Sequence, residues 1–323
     1  MSRAPNDGSP TDSECKAPVE FIYRYNPSKP KPFFAPLDWR EAAMYLRLGN
    51  QAIVRFNEGC KQHGFPQGEG PSVIELSALD AEGFEKGDDG LPTQMPFAVM
   101  LGCADARVPT ELLFGQEFND LFNIRVAGNV LAEEVIGSLS YALRAFVPES
   151  PGPGRRSLKL AAVLGHRGCG AARATIRAFL DPLKDASLFG EPIGSILRRI
   201  TSPALIVAAE SLNQVFGSSA AGRPEHFLDL IDLTVYLNAA WVAHEVQGWV
   251  DREGSALSKN VGVVYGVVDP QDLKVRAMPP SPGESDSEMF GGPPKDQQAL
   301  RAMGLLIAQK LAQARTGSRK KIR

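Results

Sequence analysis

Cysteine and histidine are scarce, four of each in 323 residues. Four cysteines cannot staple a chain of this length, so a disulfide framework is excluded. Whatever chemistry they carry is that of core thiols, metal ligands or nucleophiles. An excess of charge is also missing. Thirty-five Lys and Arg stand against 37 Asp and Glu, which offers no global attraction to nucleic acid or an anionic membrane. No apolar run approaches the roughly 20 residues that cross a bilayer, and the opening MSRAPNDGSPTDSECKAP has no secretory apolar core. These absences predict a cytoplasmic protein with reduced thiols and neither a nucleic-acid nor a membrane partner.

Residues 1–37 hold seven prolines and no apolar period, so they are expected to form an extended, flexible arm. Asp38, with Glu41 three residues on, marks a capped helix start, and Ala42, Leu46, Ile53 and Phe56 continue at helical spacing to about residue 60. Residues 64–94 are rich in Gly and acids and are expected to form a surface connection. FAVMLGC (97–103), LKLAAVLGH (158–166) and VGVVYGVV (261–268) are continuous apolar runs, as strands buried on both faces require. LFNIRVA (121–127) is a fourth strand candidate, and LKVRAM (273–278) suits an edge. Asn129 is expected to cap a helix carrying Val135, Leu139, Ala142 and Phe146. Further helices are expected at 170–180 and about 225–250, the latter with Leu228, Ile231, Val235, Ala239, Val242 and Val246 in register. Strands alternating with helices predict an α/β fold with a central, mostly parallel sheet flanked by helices. The predicted organisation is an arm (1–37), a catalytic domain (38–278), and a linker with an amphipathic helix and basic tail (279–323).

Two short segments stand at the carboxyl ends of predicted parallel strands, where ligands collect in open α/β sheets. One is Cys103-Ala104-Asp105-Ala106-Arg107, and the other is Gly165-His166-Arg167-Gly168-Cys169-Gly170. Two thiolates and one imidazole satisfy three positions of a tetrahedral zinc site, and three protein ligands leave a fourth position open. Water there becomes a nucleophile near neutral pH. Asp105 can emerge from the loop of Cys103, and Arg107 can grip it through a bidentate fork. Held in that way, Asp105 stays ionised and accepts the hydrogen bond of a zinc-bound hydroxide.

CADARVPTELLF (103–114), IRVAGN (124–129) and GHRGCGA (165–171) together resemble the β-class carbonic anhydrases. The resemblance is tight over about 95–180 and looser at 38–60 and 225–278. It implies a zinc lyase for the reversible hydration of carbon dioxide to bicarbonate, with Cys103, His166 and Cys169 as zinc ligands. Asp105 is implied as the partner of bound water, or as the fourth ligand in a resting form, and Arg107 as its dyad partner. Gln116 falls where family members place a substrate-binding glutamine. A homodimer or higher homo-oligomer, its N-terminal helices wrapping the neighbouring subunit, is implied as well. The chain departs from the family at Ala106, usually Ser, so a loop hydroxyl bond is missing.

Other readings stay open at this level. Each cysteine alone reads as a core residue, and Asp105 could close the shell of a structural zinc in a scaffold protein. Carbonyl sulfide or carbon disulfide are alternative substrates for the same scaffold. Arg167 either points inward and favours an anion or points outward and does nothing at the site. Cys15 and Cys60 are expected to be bystanders, and His63, His226 and His244 solvated or packed.

Overall fold

The computed structural model describes residues 35–63, 89–91, 93–147, 156–182, 186–252, 260–280 and 288–320. The arm at 1–34, the connection at 64–88 and Cys15 lie outside these residues, as does the side chain of Cys60.

Helix α1 (Trp39–His63) begins as its sequence predicts. Asp38 Oδ1 accepts the amides of Arg40 and Glu41, and Glu41 Oε2 accepts the Leu37 amide, a reciprocal cap that satisfies donors the first turn leaves free. The helix lies on its own chain. Ala42, Leu46 and Val54 are buried, Tyr45 meets the Phe97 ring edge-on, and Asn50 Nδ2 donates to the carbonyls of Leu113 and Leu273. Gly49 is needed here, because a Cβ would come 1.8 Å from the Phe114 carbonyl oxygen.

The sheet runs in the order β2-β1-β3-β4-β5. Strands β1 (Ala98–Gly102), β2 (Leu121–Arg125), β3 (Leu160–His166) and β4 (Gly262–Val268) are parallel, and the short β5 (Val275–Arg276) closes the edge antiparallel to β4. The predicted mostly parallel α/β sheet is therefore present. Strands β1 and β3 are buried along their whole length, whereas β2, at the other edge, is only half-buried.

Between the strands lie α2 (Thr110–Phe114), α3 (Glu133–Ala145) and α4 (Gly170–Leu180). Asn129 does not cap α3. It sits in a tight turn with φ 46°, and α3 starts at Glu133, where Glu133 and Glu134 meet the positive end of the helix. Helices α5 (Gly194–Ile200) and α6 (Ile206–Phe216) occupy the Pro-interrupted stretch. Helix α7 (Phe227–Arg252) backs the ends of β3 and β4. Most of its length is buried, but Leu228, placed in the apolar stripe by its spacing, is exposed, and the buried run begins at Leu230. The last helix, α8 (Gln297–Lys320), docks on α6 and α7 through Leu300, Ile307 and Ala308. None of the described helices is long and apolar enough to cross a membrane.

Candidate metal centre

Strands β1 and β3 are neighbours with Gly102 paired to Leu164, so the segments that follow them leave the sheet side by side. Cys103 is the first residue beyond β1, His166 is the last of β3, and Cys169 stands just before α4. Two glycines make this arrangement fit. Gly165 lets α7 approach, since a Cβ there would meet Val235 and Ala239 at 3.2 and 3.3 Å. Gly168 has φ 68°, a left-handed turn that returns the chain toward the sheet.

The ligating atoms of Cys103, His166 and Cys169 all lie within 4.8 Å of one another, and all three residues are buried. Ligands on one tetrahedral zinc stand roughly 3.5–3.8 Å apart at the usual bond lengths, so the group fits an ion once its atoms close by at most about 1 Å. The imidazole carries the strongest sign. Its Nδ1 lies 3.1 Å from the Arg167 carbonyl, and a carbonyl only accepts, so Nδ1 bears the proton. The lone pair then falls on Nε2, which is buried without a hydrogen-bond partner. A buried acceptor left bare is costly, and a cation beside the two sulfurs removes that cost.

The sulfurs lead to the same conclusion. The Cys103 thiol is held well below the ordinary range by a hydrogen bond from Cys169, which outweighs its burial, with the Gly128 amide adding to the effect. The Gly128 N–H donates to Cys103 Sγ at 3.3 Å. Cys169 is pushed up by its bond to that thiolate and by burial. Ionising one sulfur therefore disfavours ionising the other, whereas a metal ion stabilises both thiolates.

Arg107 grips Asp105 as a fork, Nε to Oδ1 at 2.9 Å and Nη2 to Oδ2 at 2.7 Å. The Arg107 amide adds a third bond to Oδ1 at 2.9 Å. This guanidinium holds the Asp105 carboxyl well below the usual carboxylate range. Asp105 Oδ2 is 3.7 Å from His166 Nε2, so the carboxylate borders the cluster. Gln116 is buried just beyond α2. Its Nε2 donates to the Phe114 carbonyl at 2.6 Å, and its Oε1 has no hydrogen-bond partner. No hydrogen bond joins it to the cluster among the described residues.

Several supports were not legible as such. Arg125, at the end of β2, donates from Nε to the Cys103 carbonyl at 3.0 Å and from Nη2 to the Asp105 carbonyl at 2.6 Å. It braces the loop in which Ala106 offers no hydroxyl. Asn238 on α7 donates to the Gly128 carbonyl at 2.9 Å, fixing the residue whose amide meets Cys103. A lone amide in an apolar helix was the one available signal. Arg167 points away from the sulfurs, onto Asp232 and Asp269. His226 is packed on Phe216 and bonded to Asp229, and His244 stacks on Trp241.

The carbonic anhydrase family model matches residues 98–215. Carbonic anhydrase 2 of Mycobacterium tuberculosis is 34% identical over 170 residues, covering 53% of this chain and 66% of that protein. A carbonic anhydrase of Mycolicibacterium smegmatis is 35% identical over 135 residues, covering 42% and 59%. The chain thus spans just under two thirds of the curated relatives it matches. Among solved structures, a Coccomyxa β-carbonic anhydrase in complex with acetazolamide aligns at 20% identity and TM-score 0.41, covering 57% of this chain and 72% of that one.

Proposed function

We propose that this chain, a relative of the carbonic anhydrases through residues 98–215, is a zinc-dependent carbonate dehydratase interconverting carbon dioxide and bicarbonate. The observation that carries the reading is the bare, buried His166 Nε2 grouped with two cysteine sulfurs beside an ionised Asp105. Cys103, His166 and Cys169 hold the zinc. Bound there, it supplies the Lewis acidity that makes water nucleophilic near pH ~7.

The chain's own residues do the rest. Asp105 accepts a hydrogen bond from the attacking water and directs its lone pair at the carbon. Arg107 keeps that carboxylate ionised and turned. Because both Asp105 oxygens are engaged by Arg107, its place in the reaction is that of an acceptor. In a resting form, released from Arg107, Asp105 would be the candidate for a fourth ligand. Attack forms one carbon–oxygen bond and gives bicarbonate, and the proton lost from water passes to buffer. Gln116 binds bicarbonate in this reading, its unpartnered Oε1 accepting the bicarbonate O–H. The catalytic unit is 38–278 with α8 docked on it, and it works as a homodimer or larger homo-oligomer.

Zinc quantification and stopped-flow acidification on mixing with carbon dioxide test the proposal. About one zinc per chain with turnover is expected. Cys103→Ser should lose zinc and turnover, while Asp105→Asn should keep zinc and lose turnover. Zinc without turnover across pH ~7–9 would leave a scaffold protein. Turnover with carbonyl sulfide or carbon disulfide alone would change the substrate.

A further inference from the structure

Arg167 follows a metal ligand, yet its side chain turns away from the metal. Nε and Nη2 donate to Asp232 Oδ2 at 3.0 and 2.6 Å, and Nη1 donates to Asp269 Oδ2 at 2.7 Å. Asp232 belongs to α7, and Asp269 follows the last residue of β4. One guanidinium therefore ties α7 to the end of β4. Both carboxylate side chains are largely buried, at 16% and 12% exposure, while that of Arg167 is 43% exposed.

The backbone of the same residue is fixed as well. Its amide donates to the Val268 carbonyl at 2.9 Å, and its carbonyl accepts His166 Nδ1–H at 3.1 Å. That carbonyl sets which imidazole nitrogen carries the proton and which way the ring faces. Gly168, next along the chain at φ 68°, has no side chain to stiffen the turn. The placing of the carbonyl therefore depends on the Arg167 side chain and one strand-end hydrogen bond, with a longer bond from Arg107 Nη2 to the Gly168 carbonyl at 3.4 Å beyond it.

We propose that Arg167, clamped by Asp232 and Asp269, is a positioning residue for the metal centre, holding the carbonyl that aims His166 Nε2 at the two sulfurs. The inference rests on the zinc reading above. An outward-pointing arginine is thus not idle: it acts on the ligand through the peptide it carries. Outer partners of metal-binding histidines typically contribute about 10- to 100-fold in metal affinity, and a loss of that size is expected here.

The experiment measures zinc affinity by competition with a chromophoric chelator, alongside thermal unfolding of the zinc-free protein. Wild-type protein that binds no zinc would sink the underlying zinc reading, independently of Arg167. With wild type binding, Arg167→Met should weaken zinc about 10- to 100-fold and also destabilise the zinc-free protein by leaving two carboxylates unpaired. The triple variant Arg167→Met/Asp232→Asn/Asp269→Asn removes the unpaired charges. It should recover thermal stability while zinc affinity stays low, a separation that a purely structural ion pair does not produce. Recovery of both together would overturn the proposal, as would unchanged affinity in Arg167→Met. If Arg167→Met alone fails to fold, the triple variant decides.

Discussion

The buried ion pair at the foot of the sheet should govern stability and leave the metal site alone. Arg156 Nη1 meets Asp120 Oδ1 at 2.7 Å, with side chains only 5% and 9% exposed. The same nitrogen donates to the carbonyls of Asn119 and Met95 at 3.1 and 3.4 Å, and the guanidinium lies 5.6 Å from the Phe97 ring centre. Arg156→Met keeps the apolar stem and removes the charge. Asp120 is then an uncompensated buried anion, which costs roughly 3–5 kcal/mol. The loss is a large fraction of a typical total of about 5–15 kcal/mol, and it should lower the melting temperature by about 10 °C. The double variant Asp120→Asn/Arg156→Met leaves no buried charge and should recover most of it. Asp120 precedes β2, and its carbonyl accepts the Phe97 amide that leads into β1. The pair therefore lies about 20 Å from Cys103, six residues of extended strand beyond Phe97, and zinc affinity should not change. Thermal and denaturant unfolding with chelator competition check both halves. A loss below about 1 kcal/mol, the value of an exposed pair, would refute the reasoning. So would a fall in zinc affinity.

Three further outcomes are expected. Gly49→Ala places a methyl 1.8 Å from the Phe114 carbonyl, so α1 must lift. A loss of at least about 1–3 kcal/mol, read by thermal unfolding, is expected although Ala is the better helix former. Asn238→Ala removes the bond to the Gly128 carbonyl, which should cost about 1–3 kcal/mol and loosen Gly128, whose amide faces Cys103, so zinc affinity should fall too. Unchanged affinity would confine Asn238 to packing. Burial pushes the Asp272 carboxyl up, but the Arg276 guanidinium and the Lys274 amide outweigh it and the net shift is downward. A carboxyl lowered in the folded state stabilises above its unfolded value of ~3.9 and loses that contribution as pH falls through the folded one. Wild type should therefore lose more stability than Asp272→Asn on acidification below pH ~4, and equal losses would refute this account.

The residues of the site and the period of its scaffold were legible because each depends on near neighbours. Apolar runs at 97–103, 158–166 and 261–268 could bury both faces only as inner strands. The helix at 170–180 showed both ends, and Asp38 with Glu41 forms the cap their spacing required. Cys103, His166, Cys169, Asp105 and Arg107 could be singled out because they stand at two predicted strand ends, and the fold brings the three ligating atoms within 4.8 Å and Arg107 onto Asp105. The tertiary structure decided what depends on contacts far apart in the chain. Asn129 reads locally as a cap, but the turn that brings Gly128 to Cys103 takes it instead. Leu228 fits the apolar period and is exposed because the helix reaches the core only from Leu230. Arg167 could have faced either way until α7 and β4 supplied Asp232 and Asp269, 65 and 102 residues away. Four cysteines were enough to rule out a disulfide framework. Which sulfurs meet an imidazole, and what holds that ring in place, follows only from the order of strands in the sheet.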